Sequence, residues 1–212
     1  MFWAKTYDRA KTLGAADKAR SRGRVRKAVR LYLKVLEHAA EDLAVRAKVA
    51  PLLGRLGRWE EARLNFDKAA GGYLEAGFAP KAIAVWTVAA QTFPEQVDYW
   101  ERIANEQAKR GKRQDAVLAL LQGRSMLRKK RQRPLATLLL RQVLELEPGH
   151  LDATLDLADL LRRDGTREEA KRLLSGLLVR IGKVRSLRRR VRFAQFWVEP
   201  SFRGALDWAF AR

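Results

Sequence analysis

Cysteine is absent from the 212 residues and histidine occurs only twice, at His38 and His150. The first absence excludes disulfides and thiolate metal sites. The second leaves little for general acid–base chemistry, which needs convergent groups of suitable pKa. His38 follows Glu37 and His150 follows Pro148-Gly149, positions near expected helix ends, where a cationic ring suits a C-terminal dipole. Gly-rich phosphate loops, metal-ligand spacings and Ser-His-Asp arrangements are also missing, so no catalytic residue, metal site, cofactor or small-molecule substrate is expected. Acid pairs such as Asp156 and Asp159 share one helical face and are read as solvated surface. The sequence has no apolar run of about 18 residues, and its start, Met1-Phe2-Trp3-Ala4-Lys5, lacks the pattern of a signal peptide. A soluble, cytoplasmic protein is the expectation.

Acids are scarce as well: 24 Asp and Glu stand against 44 Lys and Arg, giving a net charge of +20. Arginine, alanine, leucine and glycine are favoured by GC-rich bacterial coding, so a bacterial source is expected and part of the surplus is compositional. The rest gathers in three runs. Arg20, Arg22, Arg24, Arg26, Lys27, Arg30 and Lys34 lie in an acid-free interval between Asp17 and Glu37; Arg124, Arg128, Lys129, Lys130, Arg131 and Arg133 lie between Asp115 and Glu145. The third run, Arg180, Lys183, Arg185, Arg188, Arg189, Arg190 and Arg192, is the densest and is read as the main anion-contacting element.

What the sequence has in plenty is repetition. Blocks 23–76, 77–130 and 131–184 superpose without a gap, aligning Ala28, Ala82 and Ala136, then Ala50, Ala104 and Ala158, then Gly57, Gly111 and Gly165, then Ala62, Ala116 and Ala170. Apolar residues recur at helical spacing, as in Ala136, Leu139, Leu140, Val143 and Leu144, and Pro94 and Pro148 end two such stretches. Each block reads as three helices, the third opening on acids at Glu60-Glu61, Asp115 and Glu168-Glu169. Units of this size bury their apolar face only by stacking on neighbours.

The pattern resembles the tetratricopeptide repeat, whose signature is W-x2-L-G-x2-Y, A-x3-F and P. Window 97–130 carries Trp100, Ile103, Ala104, Gly111, Ala116 and Leu120; window 63–96 carries Ala70, Tyr73, Gly77, Ala82, Trp86, Ala89 and Pro94. The resemblance covers about residues 9–184. It implies an all-α, right-handed α-solenoid of helical hairpins with a C-terminal capping segment. Turn residues at 23, 57, 77, 111, 131 and 165 make the windows overlap, so the helices near 59–76 and 113–130 would each serve two hairpins. Members that grip a peptide carboxylate use a clamp of Lys, Asn and Arg; Asn65 and Asn105 do not sit in that frame, and no such clamp is expected.

Residues 1–22 are then an N-terminal capping helix, with Phe2 and Trp3 in the cap, 23–184 the repeats, and 185–212 an Arg- and aromatic-rich cap or docking segment. Phe193, Phe196, Trp197, Phe202, Trp208 and Phe210 crowd into this tail. The expected function is a non-catalytic protein-interaction scaffold or adaptor with a basic surface and an acidic protein partner. A nucleic-acid backbone is the alternative partner, and peripheral contact with an anionic membrane a third. Candidate partner-binding residues are Arg124, Arg128, Lys129, Lys130, Arg180, Lys183, Arg185, Arg188, Arg189, Arg190, Arg192, Trp197 and Trp208.

Overall fold

A computed structural model describes residues 7–182, 184–200 and 202–209. Among them the chain is all-α, with twelve helices and no strand. The helices are α1 Arg9–Ser21, α2 Val25–His38, α3 Leu43–Arg55, α4 Trp59–Glu75, α5 Ala79–Thr92, α6 Asp98–Lys109, α7 Arg113–Met126, α8 Arg133–Leu146, α9 Leu151–Arg163, α10 Arg167–Arg180, α11 Arg185–Val198 and α12 Phe202–Ala209. They form two compact units, Met1–Glu106 and Gln107–Arg212. Phe2, Trp3, Lys183 and Phe210, named above from the sequence, lie outside the described residues.

Five of the tight turns share one construction. The amide after each turn glycine donates to a carbonyl five residues back: Arg24 to Ala19, Arg58 to Leu53, Phe78 to Tyr73, Lys112 to Gln107 and Thr166 to Leu161, at 2.7–3.0 Å. This is the Schellman closure, which satisfies a carbonyl left over at the end of one helix while the chain enters the next. It needs a left-handed residue, and Gly57 at φ +75° shows why the column is glycine. Arg131, in the same column as Gly23 and Gly77, is not left-handed; Lys130–Gln132 instead forms a short 3-10 turn between α7 and α8.

Packing follows the repeated alanines. Ala28, Ala62, Ala82, Ala116, Ala136 and Ala170 are at most 1% exposed, so their small side chains let neighbouring backbones approach. On α2 the buried face is Ala28, Val29, Tyr32 and Val35, while Arg26, Lys27, Arg30 and Lys34 face water. In the first unit α4 packs on α3 and on α5, and α3 touches α5; α4 therefore serves two hairpins. At Gly72 a Cβ would stand 2.5 Å from a Leu43 methyl of α3, so a side chain there would have to turn the half-buried end of Leu43 aside. In the second unit α8 joins α7 to α9, and α9, α10 and α11 pack against one another. From α11, Val191 and Val198 are buried, and α12 lies against α11.

The two histidines have structural tasks. His38 ends α2 and stacks on Tyr7 with ring centroids 3.8 Å apart. His150 is the N-cap of α9, its Nδ1 accepting the Ala153 amide at 3.1 Å; it stands at a helix start rather than at the helix end expected from the sequence. Asn65 is likewise occupied: it accepts from buried Arg46 at 3.0 Å and donates to the Glu61 carbonyl at 2.8 Å.

Candidate functional site

Helix α9 repeats carboxylates at Asp152, Asp156 and Asp159, and most of these hold an arginine from another helix. Asp152 takes Arg190 of α11 at 2.6 Å, and Asp156 takes Arg124 of α7 at 2.8 Å. Just beyond α9, Asp164 takes Arg133 of α8 at 3.1 Å. Asp159 accepts from Arg162 at 2.8 Å and Arg163 at 2.7 Å; burial pushes its carboxyl upward, but these hydrogen bonds outweigh it and hold the group below the ordinary carboxylate value. Asp156, read from sequence as solvated surface, thus ties α9 to α7, and Asp152 ties it to α11, while Asp159 pairs within α9.

Between α9 and α11 lies a groove of about 470 Å³, within the roughly 300–1,000 Å³ of ligand clefts. Leu155 and Ala158 of α9 face Phe193, Ala194 and Trp197 of α11 across it, and Asp159, Arg162 and Arg190 carry its charge. Phe193 is 42% and Trp197 55% exposed, although Phe193 also leans on Trp208 of α12 at 5.3 Å. An apolar cleft with a few charges at its margin suits a bulky side chain flanked by polar groups.

The residues singled out from sequence are mostly engaged elsewhere. Only Arg190 and Trp197 line this groove. Arg124 is half-buried on Asp156 and also donates to the Leu127 carbonyl at 3.1 Å. Arg128 donates to the Ser125 carbonyl, Arg180 to that of Pro148 and Arg188 to that of Gly182, at 2.9–3.1 Å. Arg189 lies over the Trp208 ring at 5.6 Å, and Arg192 reaches Gln195 at 3.2 Å and Asp207 at 4.0 Å. Lys129, Lys130 and Arg185 are exposed. Sequence reasoning left Leu155, Asp159, Arg162 and Phe193 out of the candidate residues, although Phe193 stood among the crowded aromatics of the tail; the signal for Phe193 and Trp197 was their i, i+4 spacing on α11.

Residues 127–188, which include all of α8, α9 and α10, match the family model described as tetratricopeptide repeat. The chain is an all-α repeat of helical hairpins, and this part of it resembles the tetratricopeptide repeat. No curated protein matches it in sequence. Among solved structures, the repeat protein is similar to the Rap conjugation gene regulator of the plasmid pLS20 in complex with the Phr* peptide, with 16% identity, a TM-score of 0.45, and 92% of this chain and 60% of that one covered. It is similar also to YrrB, described as a TPR protein with an unusual peptide-binding site, at 15% identity and TM-score 0.35 over 94% of this chain and 90% of YrrB. A third, the thermophilic TPR protein TTC0263 of Thermus thermophilus, shares 19% identity at TM-score 0.29 over 88% of this chain and 98% of its own. Among the described residues no helix is long and apolar enough to cross a membrane.

Proposed function

We propose that this repeat protein is a non-catalytic interaction scaffold whose α9–α11 groove takes a short partner segment carrying a bulky apolar side chain next to a carboxylate. The observation that carries the reading is the exposed Trp197 and Phe193 facing Leu155 across an open cleft. Exposed aromatics concentrated in one place are a liability unless a partner covers them. Arg190 supplies the acidic preference: its pair with Asp152 is 53% and 72% exposed, a class of contact worth at most about 1 kcal/mol. A ligand carboxylate can therefore replace Asp152 at little cost. The proposed location is the cytoplasm of a bacterium, in keeping with the Arg-rich composition.

Selection of a displayed random-peptide library on the full chain, with nuclease present, tests this. The expected outcome is a converging set of peptides with an aromatic or leucine beside Asp or Glu, lost on Trp197→Ala and on Leu155→Arg while circular dichroism is unchanged. Binders that survive both substitutions, or no convergence at all, would contradict the groove.

A further inference from the structure

The first basic run behaves unlike the other two. Of that run Arg20 lies in the field of Asp17, while Arg22, Arg24, Arg26, Lys27, Arg30 and Lys34 are exposed, as is Lys18 just ahead of it. Among the described residues none of these side chains has a hydrogen bond, ion pair or ring contact with another group. In the second unit, by contrast, Arg124, Arg133, Arg141, Arg162 and Arg190 are held by carboxylates. Lys18, Arg22, Arg24 and Lys27 wall a hollow of about 240 Å³ over Ala15 and Ala19, where α1 turns into α2. Arg26 and Arg30 extend the charge along α2, lining a second hollow of about 480 Å³. Lys34 continues the stripe, with steps of four residues, or about 6 Å of helix rise.

We infer that this α1–α2 surface binds the phosphodiester backbone of a nucleic acid. Three features select that partner over other anions. No large apolar side chain is exposed on α1 or α2 among the described residues, the first being Trp59. A protein interface is anchored by aromatic or aliphatic groups, and in these hollows they are confined to Val29, Leu33 and Leu56 lining the second, beside Glu37, while the hollow at the α1–α2 turn is walled by cations over alanine. A helix lying in a membrane interface needs a free apolar face, and that of α2, Val29, Tyr32 and Val35, is already buried in the first unit. Phosphate contacts need only cations, and arginine forks grip phosphate oxygens two at a time. Phosphate contacts carry no sequence information, so sequence-independent binding is expected.

Fluorescence anisotropy of the full chain with a labelled oligothymidine, followed between about 50 and 200 mM salt, tests the inference. Arg22→Gln/Arg26→Gln/Arg30→Gln should weaken binding about tenfold and flatten the log K against log salt slope by about 2, the value for three phosphate contacts on a single strand. The equal-charge control Lys129→Gln/Lys130→Gln/Arg185→Gln should bind as wild type. Lys18→Gln/Arg24→Gln/Lys27→Gln, around the hollow, should repeat the loss, and guards against misfolding of the first variant. Equal losses in the control would assign binding to net charge and overturn the inference. So would displacement of the oligonucleotide by polyglutamate of the same charge, or stronger binding to phosphatidylserine vesicles than to the oligonucleotide.

Discussion

Two arginines of similar appearance in the sequence differ in what holds them. Arg124 is 19% exposed on Asp156, whereas Arg190 is 53% exposed on Asp152. Removing a charged partner from a half-buried hydrogen bond costs about 1.5–3 kcal/mol. We therefore expect Arg124→Ala to lower the stability read from urea unfolding by that amount, and Arg190→Ala to lower it by less than about 1 kcal/mol. Asp17 supplies a pH dependence. Burial works to raise its carboxyl, but hydrogen bonds from Tyr32 at 2.5 Å and Lys48 at 3.1 Å hold it below the ordinary value. A carboxyl lowered in the folded state contributes stability that is complete above its unfolded pKa, about 3.9. That contribution is lost as pH falls through the folded value. Thermal midpoints should accordingly be flat above about pH 5 and drop below about pH 4, and Asp17→Asn should make that drop shallower.

At the scale of the helices, the turn glycines were legible in the sequence because the physics is local: Gly57, Gly77, Gly111 and Gly165 occupy left-handed positions that penalise any Cβ. The short 3-10 turn at Lys130–Gln132 was not legible, since Arg131 shares its column with two glycines and nothing nearby announces a different closure. The double role of α4 was foreshadowed by overlapping windows, and its physical basis is that Ala62, Phe66, Ala69 and Ala70 are all buried on one helix. Packing there gives a prediction: Gly72→Ala should change stability by less than about 1 kcal/mol, because the helix preference of alanine over glycine offsets the turn that the half-buried Leu43 side chain makes to clear the methyl. The groove was hidden for a different reason. Leu155 and Phe193 are far apart in sequence, and only the packing of α11 on α9 brings them together. Ending the chain at Gly182 removes α11, and with it Val191 and Val198 from the core of the second unit. The truncated protein should melt lower than the whole chain and elute as larger species in size-exclusion chromatography; an unchanged melting curve with a monodisperse monomer would contradict the packing role of α11.

Across the whole molecule the surplus of +20 divides by use. Many cations of the second unit pair with carboxylates and helix-end carbonyls and so build structure, while Lys18, Arg22, Arg24, Arg26, Lys27, Arg30 and Lys34 remain available to an external anion. Density of charge along the sequence pointed to the run from Arg180 to Arg192, but availability depends on partners that only the fold brings near, such as Asp152 for Arg190. Peptide binding between α9 and α11, proposed above, is open to a direct test. Absence of cysteine permits a direct measurement, in which the alkylation rate of a single introduced thiol is followed with and without a library-selected peptide. In the Ala194→Cys variant, on the α11 wall of the groove, saturating peptide should slow alkylation, whereas in Ser21→Cys, at the end of α1, the rate should not change. Equal rates with and without peptide at Ala194→Cys, under conditions where the peptide is bound, would contradict the account.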